Sequence, residues 1–97
     1  MNYLRNILKE SQLDELKQTF DKNVLNQLND YNVFNIISYL KMHNIYFIED
    51  IIMQYLDLFL MEKEQFVKKF EMLKRKYSYQ FIEMLEFHLD ILEEMLV

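Results

Sequence analysis

The chain has 97 residues, enough for one small domain, and its formal charge of −5 at pH 7 disfavours broad electrostatic affinity for nucleic acid or for an anionic membrane. It contains no glycine and no proline, which argues against all-β and α/β folds and excludes a glycine-rich phosphate-binding loop. It contains no cysteine, which excludes a disulfide framework, a thiolate nucleophile and a zinc knuckle.

The N-terminal third of the chain shows three short helical patterns. Apolar residues recur at helical spacing within residues 1–9. A helix is predicted over residues 12–22, because Ser11 can cap its first turn while Asp14 reaches back to the same turn, as in a capping box. Apolar side chains within residues 24–28 predict one further short turn of helix.

Residues 45–61 are the most apolar stretch of the chain. Their only polar members are Glu49, Asp50, Gln54 and Asp57. A helix of this composition must be covered on most sides, and its acidic residues make it unsuitable as a membrane span. We therefore expect a helix over residues 47–60 to occupy the centre of the fold. Before it, a helix is predicted over residues 31–43, and Asn44 suits the left-handed position that follows a helix end.

Two further helices are predicted after this stretch. The helix over residues 62–77 begins with glutamates and ends with Lys74-Arg75-Lys76, the order that the helix dipole favours. Ser78 is the predicted N-cap of a helix over residues 79–95. One side of this last helix is apolar, with Phe81, Met84, Leu85, His88, Leu89, Leu92 and Met95. The other side is acidic, and either binds a basic partner or keeps the surface solvated.

Several sequence segments recur along the chain. Leu13-Asp-Glu-Leu16, Ile48-Glu-Asp-Ile51 and Ile82-Glu-Met-Leu85 open equivalent helices, and Tyr55-Leu-Asp-Leu-Phe59 corresponds to His88-Leu-Asp-Ile-Leu92. A period of this length with paired helices is typical of stacked helical hairpins. The sequence therefore predicts a single all-α domain. It would be a compact bundle or short solenoid of five to six helices, built from helical-hairpin repeats of about 33–35 residues.

Within residues 32–92, a helix ending in Leu-Lys, as at Leu40-Lys41 and Leu73-Lys74, is followed by a turn, an acidic–apolar helix and an apolar run. This arrangement resembles the helical repeat of the mitochondrial transcription termination factor family. Asn44 and Ser78 stand in the turns, where the family usually has glycine. The resemblance implies stacked helical units and a basic groove that binds nucleic acid.

The high apolar content favours a protein partner. Hydrophobic residues make up 52% of the chain, so that apolar surface is expected to remain for contact after the core is filled. The candidate interface, which we expect to be only partly covered within one chain, consists of Tyr55, Phe59, His88, Leu89 and Leu92. The predicted function is that of a small non-enzymatic, intracellular interaction or regulatory module that binds another protein or a second copy of itself.

A basic segment supports nucleic-acid binding as the alternative function. The candidate contacts are Lys68, Lys69, Lys74, Arg75 and Lys76, followed by Tyr77 and Tyr79. Clustered cations can bind a phosphate backbone while the aromatic rings stack on bases. A solvated helix surface, with cations at the negative end of the helix dipole, explains the same pattern without any ligand.

No residue is predicted to be catalytic, to hold a cofactor or to bind a metal. His88 has no carboxylate one helical turn away, and we expect a core or interface histidine with one hydrogen-bond partner. His43 lies near a predicted helix end, where a cationic imidazole is favoured. Asp50 and Asp57 would lie about 10.5 Å apart along a helix, too far to share a metal or a proton. The N-terminus lacks the apolar run of a signal peptide, which favours a cytoplasmic location.

Overall fold

The computed structural model describes residues 2–97, and all regular structure within this range is helical. The α-helices are α1 (Glu10–Thr19), α2 (Lys22–Asn26), α3 (Asp30–Met42), α4 (Ile48–Gln54), α5 (Lys63–Tyr77) and α6 (Phe81–Phe87). Segments of 3₁₀-helix cover Asn2–Asn6, Leu56–Leu60, Ser78–Gln80 and Leu89–Leu96. The predicted all-α class is confirmed. Within the N-terminal pattern predicted over residues 1–9, Met1 lies outside the described residues.

Short polar side chains fix where the early helices begin. The Asp21 carboxylate accepts the Asn23 N–H at 3.0 Å at the start of α2, and the Asn29 side chain accepts the Asn32 N–H at 3.0 Å at the start of α3. The predicted cap at Ser11 is wrong, because α1 begins two residues before the predicted start. Its first turn is held by the Gln12 side chain, which accepts the Lys9 N–H at 2.8 Å.

The two longest helices end in left-handed turns. Asn44 has a φ of 63°, and the Ile45 N–H reaches back to the Leu40 carbonyl at 3.0 Å, which confirms the predicted end of α3. Ser78 has a φ of 65°, and its N–H donates to the Lys74 carbonyl. Ser78 therefore closes α5 and is not the N-cap of α6 as predicted, since α6 begins only at Phe81.

The predicted helices over residues 47–60 and 79–95 are each broken once. The first break is at Tyr55 (φ −133°, ψ 47°), and the second is at His88 (φ −135°, ψ 68°). Both breaks lead into a 3₁₀-helix, whose period of three residues matches the spacing of Leu56 and Phe59 in the first segment and of Leu92 and Met95 in the second. These four side chains are buried, as is Leu58 in the first segment. Burial of these side chains outweighs continuation of the α-helix.

The repeat predicted from sequence appears as two equivalent units. The first consists of α3, α4 and Leu56–Leu60; the second consists of α5, α6 and Leu89–Leu96. Each segment of the second unit begins 33 residues after its counterpart in the first. Ile48 therefore corresponds to Phe81, with which it shares burial, and not to Ile82 as the sequence alignment suggested. The shorter helices α1 and α2 precede these units without a long first helix.

One continuous hydrophobic core joins the units. All of the buried residues within 3–97 are apolar, and those of the central stretch include Ile48, Ile51, Ile52, Leu56, Leu58 and Phe59. The central position predicted for residues 45–61 is therefore correct, although the segment is bent. The first helix of each unit packs on the 3₁₀-helix that ends the same unit, and α3 packs along α5.

Candidate interaction surfaces

The predicted protein interface lies largely inside the molecule. Phe59 and Leu92 are each only 1% exposed, because each lies on a 3₁₀-helix that packs under the first helix of its own unit. A partner could reach neither side chain without unfolding that unit, so their assignment to an exposed interface is wrong. Tyr55 and Leu89 are half-buried against the same core.

His88 differs most from its predicted environment. Its side chain is exposed at the break after α6, and the ring has no hydrogen-bond partner within residues 2–97. The turn of the backbone at this residue takes the imidazole away from the apolar face. At the equivalent position of the first unit, burial raises the pKa of Tyr55, and the nearby Glu93 and Asp90 raise it further.

The contact between α3 and α5 contains aromatic rings and a small polar cluster. The Tyr39 ring lies edge-on to Phe66 and Phe70, with centroid separations of 6.2 and 5.5 Å. Its hydroxyl donates to Glu71 Oε1 at 2.6 Å. His43 stacks at a tilt on the Tyr39 ring, with 4.4 Å between centroids. We name Tyr39, His43, Glu71 and Lys74 the inter-unit cluster.

Electrostatics within the inter-unit cluster favour a neutral histidine. Lys74 Nζ lies 3.1 Å from His43 Nδ1 and can only donate, so this ring nitrogen must accept. Burial lowers the pKa of His43, the Lys74 charge lowers it further, and Glu71, whose Oε1 lies 3.9 Å from Nε2, raises it. These contacts favour a neutral imidazole over the predicted cationic one. The hydrogen bond from Tyr39 lowers the pKa of Glu71, and burial together with Glu71 raises the pKa of Tyr39.

The equivalent side of α5, the first helix of the second unit, has no further unit packed on it within residues 2–97. Thirty-three residues after Ile36, Tyr39 and His43 stand Lys69, Met72 and Lys76. Met72 is 58% exposed, although Tyr39 is half-buried. An open cavity of about 390 Å³ lies beside them, lined by Lys69, Met72, Leu73, Lys76, Glu94 and Val97. We name the stripe formed by Lys68, Lys69, Met72, Arg75 and Lys76 the α5 face.

The cations predicted to contact nucleic acid divide into two groups. Lys69 Nζ donates to the Met95 carbonyl at 2.9 Å, Lys76 pairs with Glu94 at 2.5 Å, and Lys74 belongs to the inter-unit cluster. Lys68 and Arg75 are exposed, and neither has an ion pair or hydrogen bond from its side chain among the described residues. The α5 face therefore keeps two unpaired cations on either side of Met72.

Two exposed tyrosines occupy equivalent positions in the two units, a pairing that local sequence patterns do not reveal. Tyr46 is 73% exposed and Tyr79 is 91% exposed, and each follows the left-handed turn of its unit. Lys41 and Arg75 are exposed just before these turns. The 33-residue register, once known, is the signal that identifies the pair.

The described residues offer no metal site. Within residues 2–97, no group of three or more histidine, cysteine, aspartate or glutamate side chains is arranged to hold a metal ion. None of the helices described here is both long and apolar enough to cross a bilayer.

No protein-family model matches the chain, and no significant match was found among curated proteins or solved structures.

Proposed function

We propose that the protein is a small non-enzymatic interaction module that binds a protein partner through the α5 face. The difference between two equivalent helix faces supports this proposal. The side of α3 that carries Tyr39 is covered by α5, whereas the side of α5 that carries Met72 is exposed. Burial of such an apolar side chain against a partner is favourable by about 25 cal/mol per Å².

The charge of the α5 face adds specificity to this contact. Met72 is surrounded by cations, and the unpaired Lys68 and Arg75 can bind carboxylates on a partner. An apolar centre with a charged rim is the usual arrangement of a specific protein interface.

Position-specific photocrosslinking in the source cells tests the proposal. A benzoylphenylalanine is placed at position 72, at position 65 on the same side of α5, and at the exposed Glu15 of α1 as a control. We expect one discrete crosslinked protein from positions 65 and 72 and none from position 15. The absence of a discrete product, or the same product from all three positions, would contradict the proposal.

Nucleic-acid binding is the second candidate function. The exposed Tyr46 and Tyr79 occupy equivalent positions and suit stacking on single-stranded bases, and the exposed cations Lys41 and Arg75 precede them by five and four residues in the chain. The resemblance to the mitochondrial transcription termination factor repeat favours the same function. Three of its predicted contacts, Lys69, Lys74 and Lys76, already have partners within the chain, which makes it the weaker candidate.

A binding titration separates the two candidates. Fluorescence anisotropy with mixed-sequence single-stranded DNA and RNA at low salt should show no saturable binding if the protein interaction is the function. Saturable binding that weakens with salt and is lost when Tyr46 and Tyr79 are replaced by alanine would establish the alternative.

A further inference from the structure

We propose that the occupant of the α5 face is an acidic amphipathic helix of another protein, an inference that rests on the proposed function and specifies its partner. The geometry of the contact between α3 and α5 provides a template for the missing helix. In that contact, the α3 residues Tyr39 and His43 are met by Phe70 and Glu71, an apolar ring followed by a carboxylate.

The equivalent positions on α5 require the same kind of occupant. Met72 stands where Tyr39 stands, and Lys76 stands where His43 stands. An apolar side chain on the incoming helix would cover Met72 and fill the adjoining cavity of about 390 Å³. A neighbouring carboxylate would meet Lys76 or the unpaired Arg75. An amphipathic helix presents apolar residues along one face at a spacing of three or four, with acidic residues directly beside that face, as Glu71 stands beside Phe70 in the template.

The surrounding charge specifies an acidic helix. The α5 face carries the cations Lys68, Lys69, Arg75 and Lys76, of which only Lys76 is neutralised by an ion pair, with Glu94. This cationic surface lies on a chain whose formal net charge is −5. A basic helix would therefore be repelled locally, and an acidic one would be attracted.

The same charge disfavours a second copy of the chain on this face. A two-fold axis that pairs two α5 faces about Met72 would place Lys68 and Lys69 of one copy close to Arg75 and Lys76 of the other. Like charges brought together in an interface oppose association. Self-association through α5 is therefore not the inferred use of this surface.

The test uses a helical peptide whose apolar residues come from the template. Residues 63–77 are synthesised with acetylated and amidated ends, with Lys68, Lys69, Lys74 and Lys76 replaced by glutamate. The control peptide has the unaltered, basic sequence of residues 63–77. Binding to the full protein is measured by fluorescence anisotropy, and the site is mapped by amide chemical shifts of the labelled protein.

We expect the acidic peptide to bind and to shift amides within residues 68–76. The basic peptide should bind at least about tenfold more weakly, a difference of about 1.4 kcal/mol. The variant K68E/R75E should lose a similar factor for the acidic peptide and gain affinity for the basic one. The variant K17E/K22E, with the same charge change at exposed sites in α1 and α2, should bind both peptides as the parent does.

Several results would overturn the inference. The acidic peptide could fail to bind, both peptides could bind with equal affinity, or K68E/R75E and K17E/K22E could lose the same affinity for the acidic peptide; each of these results would contradict it. A dimer in sedimentation that Met72→Glu dissociates would identify a second copy as the occupant. If one of these results accompanied a discrete crosslink from position 72, the inferred partner chemistry would be wrong while the proposed function remained.

Discussion

Equivalent helix surfaces are covered in the first unit and exposed in the second. In the first unit, the side of α3 with Tyr39 and His43 is packed against aromatic rings and a carboxylate of α5. In the second unit, the matching side of α5 carries Met72 and Lys76 and is exposed. The backbone register is the same, so the difference lies in the side chains. Aromatic groups stand where contact is made within the chain, and flexible or charged groups stand where it is not.

The largest expected effect comes from a charge placed in the core of the first unit. Ile51 is fully buried, and an aspartate there would be an unpaired buried charge, so Ile51→Asp should abolish the cooperative thermal transition. Circular dichroism measures this directly. The equivalent residue of the second unit is the half-buried Met84, and Met84→Asp should leave a cooperative transition at lower temperature.

A surface change in the same stretch provides the control for this experiment. Asp57 is exposed, so Asp57→Asn should leave the melting curve unchanged. If Ile51→Asp melted like the parent protein, the central position of residues 45–61 would be wrong, and with it the distinction between the covered unit and the exposed one.

A second prediction compares two residues of α5, one that faces α3 and one on the exposed side of the helix. Phe70 is fully buried among the rings of Tyr39, Phe66 and Phe81, so Phe70→Ala should lower the free energy of unfolding by about 3–5 kcal/mol. Met72→Ala, two positions along, should change it by less than about 0.5 kcal/mol. Urea denaturation gives both values, and similar losses would mean that the α5 face is covered in solution.

The third prediction concerns a side chain that ties the first unit to the second. Asn32 donates to the Met61 carbonyl at 2.6 Å and accepts the Lys63 N–H at 2.9 Å, which satisfies the first turn of α5. Asn32→Ala should therefore cost about 1–3 kcal/mol in urea denaturation. The matched control is Gln65→Ala, at the equivalent position 33 residues later, where the exposed side chain should contribute almost nothing. Equal losses would contradict this role of Asn32.

The sequence was sufficient for the helices but not for their breaks. Apolar residues at helical spacing locate α3 and α5 within one residue of their observed ends, because long periodic patterns determine the buried face. The breaks at Tyr55 and His88 were missed, since apolar residues three apart fit both α- and 3₁₀-helices. The 3₁₀-helices turn Phe59 and Leu92 into the core. A prediction that assumes continuous α-helices therefore assigns these two core residues to an exposed interface.

The inter-unit cluster was missed for a different reason. Tyr39 and Glu71 are 32 residues apart, so no local spacing relates them, and only the packing of α3 along α5 brings them together. The exposed α5 face could be inferred only after the 33-residue register had shown which residues of α5 match Tyr39 and His43. Tertiary contacts therefore supplied what local periodicity could not.

The smallest expected effect tests whether the inter-unit cluster stabilises the contact between α3 and α5 in addition to the packed aromatic rings. Tyr39→Phe removes the hydrogen bond to Glu71 and should cost about 1 kcal/mol at pH 7. Tyr46→Phe, which alters an exposed tyrosine, should cost nothing. Equal stability of the two variants would show that the rings alone make the contact.

The pH dependence of stability sharpens the same test. The pKa of His43 is lowered from 6.5, so the unfolded chain binds the proton more readily and stability falls as pH drops below 6.5. The pKa of Glu71 is lowered from 4.5, so its contribution is present above 4.5 and is lost as pH falls through the lower folded value. The hydrogen bond from Tyr39 is the main cause of the lowered Glu71 pKa. Tyr39→Phe should therefore reduce the loss of stability below pH 4.5 and leave the loss that begins below pH 6.5. Urea denaturation from pH 7 to pH 3 measures both, and an unchanged profile below pH 4.5 would mean that Tyr39 does not bind the Glu71 carboxylate in solution.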